Sequence, residues 1–197
     1  MEPFESLVVD LFCLVSEALA KATSALLDAD VALGMAVIGG DQEIDEQTEA
    51  VGRMVWDKID SERPSPTGLR HLVAVLLVLP ELERSADLAE HIAQRAVAQV
   101  GKDMTPVSRG IVQRMSEVAL EMWRAATDAY ANASAEGLQL HEADVELDIL
   151  HDRLTAEVAT GSMKAPVAAQ VTLLARFYER IGDHAVNLTR RIGTLPG

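Results

Sequence analysis

Two segments of the chain each place carboxylates four residues apart, and the segments match one another. Residues 179–187 read Glu-Arg-Ile-Gly-Asp-His-Ala-Val-Asn, and residues 83–91 read Glu-Arg-Ser-Ala-Asp-Leu-Ala-Glu-His. Residues four apart lie on one face of a helix, about one turn from each other. Each segment therefore offers two carboxylates that could bind one cation together.

Two further acid pairs, Asp41/Asp45 and Asp144/Asp148, have the same spacing. The pairs correspond at offsets of 96 residues (179 − 83) and 103 residues (144 − 41). Like charges at this spacing destabilise a helix by roughly 0.2–0.5 kcal/mol per pair, so folding alone does not explain four of them. The candidate metal ligands are Asp41, Asp45, Glu83, Asp87, Asp144, Asp148, Glu179 and Asp183.

The acids are predicted to lie on an outward ridge, because Glu179 and Asp183 fall nearly opposite the apolar stripe of their helix. Oxygen donors with an occasional imidazole suit Mg²⁺, Mn²⁺, Fe or Ca²⁺, and they disfavour a structural thiolate zinc site. Additional or supporting ligands on the two segments are His91, Asn187 and His184.

Three interpretations of the acid pairs remain open. They could be only the solvated face of amphipathic helices, with Asp41 serving as an N-cap after Gly39-Gly40. They could belong to a carboxylate-bridged metalloenzyme, although di-iron bundles use inward Glu-x-x-His motifs that the paired positions lack. They could instead form outward metal sites of a protein that is not an enzyme. The sequence has no Gly-rich phosphate loop, nucleophile elbow or Cys-His spacing.

The elements that position these acids are predicted to be helices throughout, because Ala, Leu and Val dominate and only 4% of residues are aromatic. Gly39-Gly40 is predicted to separate the first two helices, and Pro80 to kink the third. A long-short-long order appears twice, which predicts an all-α protein of two tandem three-helix units, 1–101 and 102–197. The predicted helices span about 2–33, 41–63, 66–100, 106–135, 138–160 and 166–192.

Composition narrows the class of partner. The net charge of −14 disfavours binding to nucleic acid or anionic lipid, and it favours cations or basic proteins. The longest apolar run, Leu72–Pro80, is too short to span a bilayer, which with the absence of a signal peptide predicts a cytoplasmic protein. That run also suggests a contact between the units or a homodimer contact. Cys13, the only cysteine, and both Trp56 and Trp123 are predicted to be buried.

The segment 179–187 resembles the signature of the PhoU family of phosphate-signalling regulators, and segments 83–91 and 41–45 resemble it in part. The first copy departs from that signature at Ser85-Ala86 and at Pro80. The resemblance implies two three-helix bundles with multinuclear metal clusters on their surface, held by the eight carboxylates above. The metal would be a divalent or trivalent ion such as Fe, Mn, Mg or Zn.

The same resemblance implies a function. Members of the family are cytoplasmic regulators, not enzymes, and they repress phosphate uptake and phosphate-starvation signalling when phosphate is plentiful. The expected partners are a sensor histidine kinase of a two-component system and the ATPase of the phosphate ABC transporter. The chain would then be a homodimeric, metal-binding helical adaptor at the periphery of membrane complexes, with no role in binding nucleic acid.

Overall fold

The computed structural model describes residues 3–132 and 140–193, and these form six α-helices and no strand. The all-α prediction with six helices is confirmed. A short 3₁₀ helix, Val100–Asp103, links the two three-helix units, and the predicted boundary between residues 101 and 102 falls inside it and stays a prediction. The helices are α1 Pro3–Asp28, α2 Val31–Glu62, α3 Pro66–Val97, α4 Pro106–Ala131, α5 Leu140–Ala159 and α6 Ala165–Ile192.

The break between α1 and α2 lies ten residues earlier than predicted. Asp30 caps α2 by accepting a hydrogen bond from the Leu33 backbone N–H at 3.0 Å, and Ala29 has a positive φ of 53°. α2 then runs straight through Gly39-Gly40, so the prediction of a break there was wrong. A glycine weakens a helix but ends it only where the chain takes a capping conformation. Asp41 is therefore inside a helix and is not an N-cap.

The starts of α3 and α4 were predicted correctly. Ser65 and Thr105 each accept a hydrogen bond from the backbone N–H three residues later, and each is followed by a proline at the first helical position. α3 continues as a helix through Pro80. The predicted end of the fourth helix near residue 135 and the predicted start of the fifth at Leu138 lie outside the described residues.

The two units share one hydrophobic core, because α1 packs on α4 and α3 packs on α6. Trp123 is fully buried, and its indole N–H donates to the Phe12 carbonyl at 3.0 Å. A buried polar contact joins three helices: Thr23 Oγ1 lies 2.7 Å from the Tyr178 hydroxyl and 3.0 Å from Ser116 Oγ. Each unit therefore completes the interior of the other.

Two predicted core residues are on the surface. Trp56 is 57% exposed, and Cys13 is exposed as well. Their helices bury other stripes, with Val51 and Val55 turned inward on α2 and Phe12 turned inward on α1. Apolar character in a run of sequence did not show which side of the helix each residue takes. No described helix has the length and apolarity needed to cross a membrane.

Gly101, in the link between the units, and Gly110, on α4, are predicted to respond in opposite ways to substitution by alanine. A Cβ at Gly101 would lie 1.8 Å from the Leu26 carbonyl oxygen, whereas a Cβ at Gly110 would meet no described atom within 4 Å. We expect Gly101→Ala to destabilise the fold by at least about 2 kcal/mol, and Gly110→Ala to stabilise it by about 0.5–1 kcal/mol. Urea unfolding followed by circular dichroism measures both, and similar free energies of unfolding for the two variants would contradict the close approach.

Candidate metal centre

The structure brings the acid pairs of α2 and α3 together on one surface. The two helices are antiparallel neighbours joined by residues 63–65, so the first half of α2 lies beside the second half of α3. The electrostatic influence of the side chains on one another shows which of them are neighbours. The first acidic cluster defined in this way consists of Asp41, Asp45, Glu49, Glu83, Asp87 and Glu90.

Asp41 experiences the strongest effect in this cluster. Partial burial, with the negative charges of four neighbouring carboxylates, raises the pKa of Asp41 to about 6. Burial and nearby carboxylates also raise the pKa of Asp45 and the pKa of Glu83, while Arg84 offsets part of the effect on Glu83. The fold thus holds several carboxylates close enough that their ionised forms repel one another.

The acid pairs of α5 and α6 meet in the same way and form the second acidic cluster, Asp144, Asp148, Glu179 and Asp183. Burial is the main cause of the raised pKa of Asp144 and the raised pKa of Asp183, and carboxylates of the same helix and of the opposite helix add to it. Arg176 Nη1 lies 2.5 Å from Glu179 Oε2, so this cluster contains a cation of its own.

The two clusters differ in their acids and in their arginines. At the 96-residue offset, the position of Arg176 in the second unit is occupied by Pro80 in the first. The first cluster includes two more acids, Glu49 and Glu90, that were not predicted from the sequence, and Arg53 Nη1 lies 3.3 Å from Glu49 Oε2. Both acids extend the four-residue and three-residue spacing of their pairs, which is the signal that could have identified them.

The departures at Ser85 and Ala86 do not reach the first cluster. Both residues are 1% exposed and lie in the core, and Ser85 Oγ donates to the Glu81 carbonyl one turn earlier in α3 at 2.7 Å. His184 Nδ1 lies 2.9 Å from the Ser85 hydroxyl, and burial lowers the pKa of His184. His184, a candidate supporting ligand, therefore belongs to the buried α3–α6 contact.

The other two candidate supporting ligands, His91 and Asn187, do not share the surroundings of His184. The ring centroid of His91 lies 5.4 Å from that of Phe177, and His91 Nδ1 is buried without a hydrogen-bond partner in the described residues. Asn187 is half-buried on α6, four residues after Asp183.

The donor chemistry of both clusters fits a hard cation, since carboxylate oxygens are the ligands that such ions prefer. A cation would also relieve the repulsion between carboxylates that adds to the effect of burial on these pKa values. Within residues 3–132 and 140–193, no three His, Cys, Asp or Glu residues already converge on one point in the manner of a metal site. Binding would therefore require the carboxylates to change rotamer, which their half-exposed positions allow.

Comparison with known proteins gives concordant matches over nearly the whole chain. The model of the PhoU domain matches twice, over residues 8–96 and 112–192. A phosphate-specific transport system accessory protein PhoU homolog 2 from Mycobacterium tuberculosis (strain ATCC 25618 / H37Rv) is 31% identical over 179 residues, which cover 89% of this chain and 84% of the relative. A PhoU homolog with the same function name from Rhizobium meliloti (strain 1021) is 29% identical over 91% of this chain and 78% of the relative.

A solved structure gives the same result for the fold. The crystal structure of PhoU from Pseudomonas aeruginosa superposes with a TM-score of 0.89 and 25% sequence identity, covering 98% of this chain and 94% of that one.

The raised pKa of Asp41 predicts a dependence of stability on pH. The folded state holds the Asp41 proton more tightly than the unfolded chain does, because the pKa of an ordinary aspartate is 3.8. Stability is therefore lost as the pH rises from about 4 to about 6, and the loss is complete above that range. We expect Asp41→Asn to raise Tm near neutral pH by roughly 2–4 °C and to leave Tm almost unchanged near pH 4.

Thermal unfolding with a chelator present measures this dependence without interference from metal. The matched control is Asp60→Asn, which removes an exposed acid at the other end of α2. An equal rise in Tm for the control would assign the effect to net charge and would contradict a local effect at Asp41.

Proposed function

The chain belongs to the PhoU family, and from that premise we propose that it is a regulator of phosphate transport that acts without catalysing a reaction. It represses phosphate uptake and phosphate-starvation signalling when phosphate is plentiful. Its partners are a sensor histidine kinase and the ATPase of a phosphate ABC transporter. The support comes from the relatives named phosphate-specific transport system accessory proteins and from the acidic cluster present in each unit.

Metal binding is the second part of the proposal. Each cluster takes up one or more divalent or trivalent cations, with Fe, Mn and Mg preferred over Zn because the donors are carboxylates. A bound cation would neutralise the facing acids and connect the two helices of the cluster. The ligands are Asp41, Asp45, Glu83 and Asp87 in the first unit and Asp144, Asp148, Glu179 and Asp183 in the second.

The first cluster contains more acids than the second. It has six carboxylates, of which Glu49 pairs with Arg53, whereas the second has four, of which Glu179 pairs with Arg176. The departures from the family signature at Ser85-Ala86 lie in the core, away from the acids. We therefore expect the first unit to bind metal at least as tightly as the second.

Charge and rigidity support the proposed adaptor role. The chain has a net charge of −14, and its acidic clusters lie on the outer sides of two units that share one packed core. Complementary charge speeds the association of proteins and selects their partners. Basic surfaces of a kinase or of a transporter ATPase are suited to this arrangement.

Paired substitutions test the metal sites. Asp41→Ala with Asp45→Ala should remove the metal of the first unit, and Glu179→Ala with Asp183→Ala should remove the metal of the second. Elemental analysis and calorimetric titration with Mn²⁺ measure the stoichiometry. The charge-matched control is Glu43→Ala with Glu46→Ala, two exposed acids of α2 outside the cluster. Unchanged metal content in both paired variants would refute the assignment.

A genetic experiment tests the regulatory role. Deleting the gene in its host should raise a phosphate-starvation reporter, such as secreted phosphatase activity, several-fold in phosphate-rich medium. Expression of the wild-type chain should restore repression. Retention of full repression in the deletion strain would contradict the proposed function.

A further inference from the structure

The outward face of α2 and α3 has an acidic part and an apolar part. The acidic part is the first acidic cluster. The apolar part, toward the α2–α3 loop, carries four large side chains that are far from buried. We call these the apolar row: Trp56 is 57% exposed, Leu77 47%, Val73 43% and Leu69 41%.

Helical geometry places the row and the acids on the same face. At roughly 100° per residue, Leu69, Val73 and Leu77 fall on the side of α3 that carries Glu83 and Asp87. By the same count, Trp56 follows Asp45 and Glu49 on α2. The two parts are consecutive stretches of one surface.

The register of the two helices brings Trp56 next to the row on α3. A Cβ at Gly52 would lie 3.8 Å from Leu79 Cδ1, so these positions are opposite each other across the antiparallel pair. Trp56 is one turn further along α2 and therefore lies beside the turn of α3 that precedes Leu79. Val73 and Leu77 flank that turn.

The second unit shows that the fold does not require the apolar row. At the offsets of 103 and 96 residues, Trp56 corresponds to Ala159, Leu69 to Ala165, Val73 to Ala169 and Leu77 to Leu173. The second unit thus forms the same helix pair with three alanines and one leucine. Large apolar side chains grouped on a surface indicate a site of interaction.

We propose that this face, when its acidic cluster is free of metal, docks an amphipathic helix of a partner protein, with the apolar side of that helix on the apolar row and its Lys and Arg residues on the first acidic cluster. From Leu69 to Glu90 the surface extends 21 residues along α3, or about 32 Å at 1.5 Å per residue, which accommodates a helix of about six turns. An amphipathic helix that lies with its apolar side on a surface formed by two helices is a common mode of peptide recognition.

Charge selects this occupant over a second copy of the chain. The four exposed side chains cover less than the roughly 800 Å² per partner that a stable interface buries. The remaining area would have to come from the adjoining acids. A second copy has a net charge of −14 and the same clusters, so like charges would repel there, whereas a basic helix would be attracted.

Trp56 provides a direct probe of this site, because the only other tryptophan, Trp123, is fully buried. We would titrate the full chain, in the presence of a chelator, with a synthetic peptide of about twenty residues whose leucines and lysines alternate at helical spacing. Docking should shift Trp56 emission to shorter wavelength and protect it from acrylamide quenching. A peptide of identical composition in scrambled order is the control for charge alone.

Two sets of variants locate the binding. Val73→Ser with Leu77→Ser should weaken the peptide affinity at least about tenfold, and the matched Leu173→Ser in the second unit should leave it unchanged. Glu83→Gln with Asp87→Gln removes repulsion and so preserves folding; it should weaken binding and reduce its salt dependence.

Three results would overturn the proposal. The first is wild-type affinity in both the Val73/Leu77 and the Glu83/Asp87 variants, and the second is equal binding of the scrambled peptide. The third is a wild-type dimer, detected by sedimentation, that Val73→Ser with Leu77→Ser dissociates, since it would assign the face to a second copy. Because metal is absent from the assay, failure here would leave the proposed metal sites and regulatory role standing.

Discussion

The antiparallel packing of α3 against α6 is the constraint on which the rest of the structure depends. These two helices carry the matching acidic segments, and each buries the side opposite its acids against the other. Ser85 meets His184, and Glu81 Oε1 accepts from Arg191 Nη2 at 2.9 Å. With the inner sides fixed in this way, the acids must face outward, where α2 and α5 supply the facing carboxylates.

Packing within each unit also distinguishes the two copies of the signature. A Cβ at Gly182 would lie 2.9 Å from Leu147 Cδ1 and 3.5 Å from Met122 Sδ, so the second unit has no room for a side chain there. Ala86, at the equivalent position of the first unit, is 1% exposed, so that unit does accommodate a methyl group. The glycine of the signature in this chain therefore serves helix packing, and its loss in the first unit leaves the acids unaffected.

The sequence predicted what short-range chemistry determines. The caps at Ser65 and Thr105, the number of helices and the pairing of acids at four-residue spacing all follow from local propensity and period. Predictions from the sequence were wrong where helix bounds or side-chain exposure could not be deduced from the local pattern. The glycines at 39 and 40 suggested a break, but the chain is capped at Asp30 and continues as a helix through them. The exposure of Trp56 depends on which side of α2 packs on the other helices.

The partners of the buried polar groups were likewise hidden from local analysis. Ser85 and His184 are 99 residues apart in the chain, and no motif spacing links them. The difference in arginines between the clusters also became visible only when Pro80 and Arg176 were placed at equivalent positions. The duplication is a long-range feature that can be recognised in the sequence, and it predicted that each unit carries a matching set of acid pairs.

The shared interior has a consequence for how the chain is made. The carbonyl of Phe12 and the hydroxyl of Thr23 find their partners on Trp123, Ser116 and Tyr178, which are synthesised 93 to 155 residues later. The first three helices therefore leave the ribosome with an exposed apolar surface, on which the polar groups of Phe12 and Thr23 do not yet have their partners. Until the last helix emerges, a nascent chain of this protein is a natural client for chaperones, and a truncated product would be an early target for proteolysis.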